Sequence, residues 1–341
     1  RGVHIGEDIL SILLFADDII LMAEKEDDLQ NSLSVLNEWC DTWKMQVNAD
    51  KTKVVHFRRP SKPRSDVVFT CGDKLLVTTD KYKYLGLWLT EFMDYNLMAK
   101  EIAKAGHRAL DVLIAKAKAY GGMQYKIFSH LYNSLVLPVI TYGASIWGHK
   151  DMPCINAVHN RAARYFLGVG KRTPNAAVQG DIGWKVPWEH QWLITLKYWC
   201  RILCMEPSRV HKQIFMWAFN GRKARNWIYR VLEFCCHNNL EFITDMEITQ
   251  PWHSVREVVE RSIRERFMER WHQTLDRDQA TRGPGGNKLR VYRLFKRDFC
   301  EEKYVSMSIP KKHRRALAQF RCGVAPIRIE TGRYGAKTPS I

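Results

Sequence analysis

The stretch Ile9-Leu10-Ser11-Ile12-Leu13-Leu14-Phe15-Ala16-Asp17-Asp18-Ile19-Ile20-Leu21-Met22 decides how the rest of the chain is read. Two apolar runs of strand length flank Ala16-Asp17-Asp18, which is the pattern of a β-hairpin. The hydrophobicity is continuous rather than alternating, and this predicts strands buried on both faces. Two carboxylates at the tip would be costly to bury without a counter-charge. Held by strands and presented by a turn, adjacent carboxylates suit a divalent metal, and as hard oxygen ligands they suit Mg2+. A polar turn with no ligand is the other reading, because Asp is common in turns.

Working outward, acidic Glu26, Asp27 and Asp28 precede Leu29, Leu33, Leu36, Cys40 and Trp43 at three- and four-residue steps. That spacing, with negative charge at a helix N-terminus, predicts an amphipathic helix packed on a sheet. Asn48-Ala49-Asp50-Lys51 reads as a turn, Thr52 to Phe57 as a strand, and Pro60-Ser61-Lys62-Pro63 as a loop. Val67 to Thr70 and Lys74 to Thr78 flank Cys71-Gly72-Asp73, a second hairpin signal, and Lys83-Tyr84-Leu85-Gly86-Leu87-Trp88-Leu89 reads as a further strand. Residues 1–95 are therefore expected to be α+β.

From Asn96 the period changes. Ile102, Ala105, Ala109, Leu113 and Ala117 mark one helix, and Ile127, Leu131 and Leu135 mark another that ends near Pro138. Helical patterns continue through Ile155 to Leu167, Trp188 to Cys204, Val210 to Phe219 and Val255 to Leu275. Arg282-Gly283-Pro284-Gly285-Gly286-Asn287 reads as a flexible linker, followed by short basic helices from Arg290 to Phe299 and Lys311 to Phe320. The expected segments are 1–95, 96–150, 151–281 and 282–341, with no internal repeat.

With 341 residues, 46% of them hydrophobic and 26% charged, the chain has the composition of a folded protein of several parts. Its 53 Lys plus Arg against 36 Asp plus Glu give +17, which favours a polyanionic partner, nucleic acid first and a membrane surface second. Nine cysteines without framework spacing, an odd number, argue against disulfides and for a reducing intracellular setting. No apolar run reaches membrane-spanning length without a charge, since Asp17 and Asp18 interrupt Ile9 to Met22. The start at Arg1 rather than Met reads as truncated.

Phe15-Ala16-Asp17-Asp18 resembles the aromatic-x-Asp-Asp motif of reverse transcriptases, with Phe in place of the commoner Tyr. Gln46-Val47-Asn48-Ala49-Asp50-Lys51-Thr52-Lys53 is similar to the next palm motif of that family, and Tyr84-Leu85-Gly86 to its primer-grip hairpin. Tyr132 to Trp147, with Leu137-Pro138 and Tyr142-Gly143, resembles the thumb of the non-LTR retrotransposon (LINE-like) enzymes, and Asn160-Arg161-Ala162-Ala163-Arg164-Tyr165-Phe166-Leu167-Gly168 the segment after it. Three palm motifs in the family's order outweigh the polar-turn reading of any one of them.

The resemblance implies a partial palm over 1–95, a helical thumb over 96–150, a basic helical extension over 151–281, and a linker with a basic C-terminal segment over 282–341. It implies RNA-directed DNA synthesis by Mg2+-dependent nucleotidyl transfer, with RNA template, DNA primer and deoxynucleoside triphosphates as partners, and a nuclear setting for the element. Asp17 would be a metal ligand and Asp18 its acidic neighbour, with Phe15 under the primer terminus. Lys51 or Lys53 would sit near the leaving pyrophosphate, where an ammonium offsets developing charge. The family's other metal-binding aspartate lies on a strand well upstream, and only sixteen residues precede Asp17. The chain as given is therefore expected to lack polymerase activity of its own. A non-catalytic nucleic-acid-binding protein derived from a retroelement is the alternative.

Eight tryptophans from Trp184 to Trp271 alternate with cations such as Lys185, Lys197 and Arg201, which would suit stacking on single strands. The spacing of Trp188, Trp192 and Trp199, however, is that of a buried helix face. Arg222, Lys223 and Arg225, together with Lys311-Lys312-His313-Arg314-Arg315, are the better phosphate-contact candidates. No Cys-x-x-Cys pair supports zinc, so Cys200, Cys204 and Cys235-Cys236-His237 read as core cysteines. By the resemblance, a zinc knuckle would come after Ile341.

Overall fold

A computed structural model describes residues 2–221, 226–281 and 287–326. Arg222, Lys223, Arg225, most of the glycine-rich linker and the end of the chain from 327 lie outside the described residues. The strands are β1 (Val3–Ile5), β2 (Asp8–Leu10), β3 (Ile12–Phe15), β4 (Asp18–Leu21), β5 (Lys53–Val55), β6 (Phe69–Cys71), β7 (Lys74–Thr79), β8 (Lys81–Tyr84) and β9 (Leu87–Thr90). The helices are α1 (Glu26–Thr42), α2 (Asn96–Ala119), α3 (Tyr125–Leu131), α4 (Leu137–Ile140), α5 (Ala144–Trp147), α6 (Pro153–Leu167) and α7 (Asn175–Ile182). They continue with α8 (Pro187–Leu203), α9 (Val210–Asn220), α10 (Trp227–Cys236), α11 (Trp252–Ala280), α12 (Tyr292–Phe295), α13 (Lys303–Ser306) and α14 (Lys311–Arg321). The architecture is α+β, as expected. Two compact units are formed, Arg1–Met98 with Met205–Ala224, and Ala99–Cys204 with Arg225–Ile341. Residues on either side of 150 fall in the same unit, as do those on either side of 281.

The first unit carries small sheets: the hairpins β1-β2, β3-β4 and β8-β9, and a sheet in the order β5-β7-β6. Helix α1 lies on β6 and buries Leu33 and Cys40. Leu33, Phe69, Cys71 and Leu76 form the core here, with Leu21, Leu29, Val47, Ala49 and Val54 packed around them. The Gln30 side chain fastens this layer: its amide donates to Thr70 O at 3.0 Å and accepts from Thr70 N at 3.0 Å, as a neighbouring strand would. Trp43, expected on the buried stripe, is 66% exposed, because the helix ends at Thr42 and the chain turns through Lys44 at φ 56°. Helix α9 packs on β1 and so belongs to this unit despite its place in the sequence.

Two strand expectations need correction. The run from Ile9 to Phe15 is broken at Ser11 into β2 and β3, which pair in different hairpins. The run from Lys83 to Leu89 is a hairpin, with Tyr84 opposite Leu87 and Leu85-Gly86 as its turn. Leu85 and Gly86 have φ of 45° and 81°, the left-handed pair that matches strand twist in a two-residue turn.

The second unit is helical and built on aromatic rings. Trp147, Trp199, Tyr132, Tyr292 and Phe128 are fully buried, and Trp188 and Trp192 are buried with them, in accord with the core reading of that spacing. Trp184 stacks on Tyr132 with ring centroids 4.6 Å apart, and Tyr132 Oη meets His159 Nδ1 at 2.9 Å. Between α3 and α4 the backbone widens into one π turn, Tyr132–Val136. The wide turn accommodates Pro138 just beyond it, where a regular helix would lose a hydrogen bond. The buried face runs through Phe128, Tyr132 and Val136, so Ile127 and Leu135, expected inside, are exposed.

Among the described residues of this unit, buried Asp181, Glu189 and Lys296 are each matched by a counter-charge, and Arg314 is not. Asp181 takes Arg321 through both carboxylate oxygens at 3.1 Å and accepts from Tyr304 Oη at 2.6 Å. Buried Lys296 reaches Glu302 at 2.6 Å, and buried Glu189 meets Arg264 at 3.1 Å. Among the described residues no helix is long and apolar enough to cross a membrane.

Candidate catalytic hairpin

In β3-β4, Ile12 pairs with Leu21 and Phe15 with Asp18, which leaves Ala16-Asp17 as a two-residue turn. Ala16 has φ 53°, a left-handed conformation that costs a residue with a Cβ and usually falls to glycine in such turns. Asp17 thus occupies the turn itself, and Asp18 opens β4 on the neighbouring face. The base of the hairpin is fixed by Leu21 against the Leu33 core and by Met22 N donating to Ser11 O at 2.8 Å.

The burial expected on both faces of this hairpin is absent. Every residue of β3 is exposed, Leu14 by 67% and Phe15 by 58%. Among the described residues each strand pairs only with the other, and α1 reaches β4 at the base of the hairpin, so the apolar side chains of β3 are left without a covering layer. Asp17 and Asp18 are exposed too, and among the described residues no hydrogen bond or ion pair engages either side chain.

Lys51 is exposed in the turn held by Thr52 N donating to Asn48 O at 3.0 Å, and Lys53 begins β5 opposite Val77. Neither lysine is bonded to Asp17 or Asp18. What connects them to the hairpin is the core, where Val54 of β5 and Leu21 of β4 meet. Tyr84, Leu85 and Gly86 sit at the tip of β8-β9, which adjoins β5. Among the described residues no three His, Cys, Asp or Glu side chains are grouped to hold a metal. Burial pushes the Cys200 thiol up to about 11 and raises Cys235 as well, which suits core cysteines rather than zinc thiolates, whereas Cys204 and Cys236, expected in the core, are exposed.

Sequence reasoning missed a polar clamp beside the hairpins. Glu91, buried at the end of β9, receives Arg58 at 3.0 Å and Arg64 at 2.9 Å, and Glu91 O accepts from Arg58 N at 2.9 Å. The clamp ties the basic loop after β5 to β9. Its members are separated by 33 and 27 residues, so no local pattern announces them.

The tips of both hairpins fall within residues 5–89, which match the profile of the reverse transcriptase (RNA-dependent DNA polymerase) family. Through this region the chain is similar to the reverse transcriptases of retrotransposons, a family that generally uses divalent metal ions. It is 28% identical over 139 residues to a transposon-derived protein of Caenorhabditis elegans, covering 40% of this chain and 49% of that one. It is 25% identical over 159 residues to a probable RNA-directed DNA polymerase from transposon BS of Drosophila melanogaster, covering 44% of this chain and 18% of that one. A Pol polyprotein from a type-1 retrotransposable element R1 of Nasonia vitripennis is 24% identical over 143 residues, which are 39% of this chain and 37% of that protein. The match thus spans at most about half the length of these relatives. No solved structure matches the chain.

Proposed function

We propose that the chain is part of a retroelement RNA-directed DNA polymerase, contributing a partial palm over 1–95, a thumb over 96–150, and a helical and basic extension over 151–281 and 282–341. The observation that carries this reading is the Asp17-Asp18 pair, exposed at the tip of a core-anchored hairpin inside the family match. The donor set fits Mg2+, which is commonly held by one or two carboxylates, the remaining positions falling to water and substrate phosphates. Asp17 and Asp18 would hold it, and when bound it would stabilise charge on the transferring phosphoryl group.

The chain's own residues supply the rest. Phe15 offers an uncovered ring beneath a primer terminus, and Tyr84-Leu85-Gly86 supports the primer strand from the β8-β9 tip. Lys51 or Lys53 offsets charge on the departing pyrophosphate. Arg222, Lys223 and Arg225 contact phosphates of template or primer.

The test is Mg2+-dependent primer extension on an RNA template by the longest product of the locus that contains this chain. Asp17→Ala is expected to lower extension by about a hundredfold or more while leaving oligonucleotide binding intact. Extension that persists in Asp17→Ala would overturn the reading. The second reading, a non-catalytic nucleic-acid-binding derivative of a retroelement, draws support from the small acidic cluster at the hairpin and the +17 charge. It predicts binding without extension in the parent protein.

A further inference from the structure

Among the described residues of the second unit two Lys or Arg side chains are deeply buried, and one of them, Lys296, is matched by a carboxylate. Arg314, on α14, is 8% exposed, and no carboxylate pairs with it among the described residues. Its Nε donates to Phe166 O at 3.2 Å and its guanidinium lies 4.2 Å from the Phe166 ring. Its terminal nitrogens find no acceptor among the described residues. A desolvated cation without an anion is unstable relative to a paired one, and burial accordingly pulls the Arg314 guanidinium below its usual range.

Arg314 lines a shallow cavity with Lys311, Tyr165, Phe166, Ala117 and Gly122. Lys311 lies 4.8 Å over the Tyr165 ring. Around the cavity the surface is basic and unpaired: Lys116 and Lys118 flank Ala117 on α2, Lys171 and Arg172 come after α6, and Arg315 lies against Gly168 at the start of that loop. No carboxylate pairs with any of these among the described residues. Tyr120, 76% exposed, stands between the cavity-lining Ala117 and Gly122. The first turn of α14 holds no acid, and Pro310 caps it without a side-chain acceptor.

We propose that the start of α14, the end of α2 and the loop after α6 form a binding face for single-stranded nucleic acid, in which Arg314 and Lys311 receive a backbone phosphate and Tyr120 offers its ring to a base. A phosphodiester supplies the anion that Arg314 lacks. Its successor phosphates run over Arg315 and Lys171 or over Lys116 and Lys118, and exposed aromatic rings beside cations stack bases without sequence preference. This deepens the nucleic-acid part of the proposed function and is independent of its metal chemistry.

The test titrates labelled oligo(U) and oligo(dT) into the protein by anisotropy across a salt series. Lys311→Glu with Arg315→Glu is compared with Lys197→Glu with Arg201→Glu, an equal charge change on exposed positions of α8, after thermal melts show both variants folded. The α14 pair is expected to weaken binding about tenfold or more and to reduce the salt slope by about two, and the α8 pair to weaken it less than about threefold. Tyr120→Ala is expected to weaken binding about tenfold with the slope unchanged. Equal losses in the two double variants, or undiminished binding by the α14 pair, would overturn the face. Asp17→Ala keeps this binding whichever way primer extension turns out, so the two readings fail separately.

Discussion

The run Ile12-Leu13-Leu14-Phe15 and the face Trp188, Trp192, Leu196, Trp199 are both strongly apolar, yet every member of the first is exposed and every member of the second is buried. Helix α8 lies in a bundle with α5, α6 and α11 against it, whereas among the described residues β3 has β4 beside it and its side chains lie open to solvent. Burial depends on the layers available as much as on the hydrophobicity of the segment. The same contrast holds for charge. The first unit concentrates its buried ion pairing on the Glu91 clamp, and the second threads Asp181, Glu189, Lys296 and Arg321 through its packed interior.

The contrast can be broken most directly in the second unit. Asp181→Ala leaves Tyr304 without its acceptor and Arg321 with Glu302 alone, at 3.1 Å, and is expected to cost about 3–5 kcal/mol in urea denaturation. A loss below about 1 kcal/mol would mean that the network is incidental to packing. Acidification is the next largest effect. Burial lowers His159 to about 3 and His190 to about 4, so both stay neutral in the folded state while the unfolded chain protonates near 6.5. Stability from these groups is full above about pH 6.5 and falls as pH drops toward the folded values, by roughly 2 kcal/mol each at pH 5. Denaturation at pH 7 and pH 5, with His159→Gln as the reference, measures it.

Smaller effects belong to the first unit. Glu91→Gln is expected to cost about 2–3 kcal/mol, because two guanidinium groups lose their charge partner in a site that is closed to water on one side only. Hydrogen exchange localised to β5, β9 and the loop between 56 and 65 would show it. Leu14→Thr should change stability by less than about 0.5 kcal/mol, since the side chain is already in solvent. A larger loss would show that the hairpin is covered in solution and would close the gap between the two units.

Much of this arrangement was legible in the chain. The period of α8 and α11, the hairpin at Cys71-Gly72-Asp73, and the acidic hairpin closed by Phe15 opposite Asp18 all arise from local patterns that the structure reproduces. The misreadings have local causes as well. Leu85 is no turn signal, yet it adopts the left-handed conformation that splits β8 from β9. Phe128, Tyr132 and Val136 recur at the same four-residue step as Ile127, Leu131 and Leu135, so the period alone does not say which stripe faces inward. For the candidate site, the acidic turn is readable because its residues are adjacent. Glu91 with Arg58 and Arg64, and Arg314 over Phe166, depend on chain segments brought together only by folding.

The π turn between α3 and α4 gives the residues of Tyr132–Val136 two different tolerances. Tyr132 and Val136 are fully buried, whereas Asn133, Ser134 and Leu135 are exposed and can each change their side chain with little consequence. A single π turn accommodates its extra residue locally, so removing one of the exposed three would close it to an ordinary turn and leave Leu137, Ile140 and Trp147 facing the interior. The segment thus acts as slack in the helix, open on its outer arc and fixed at its two buried ends.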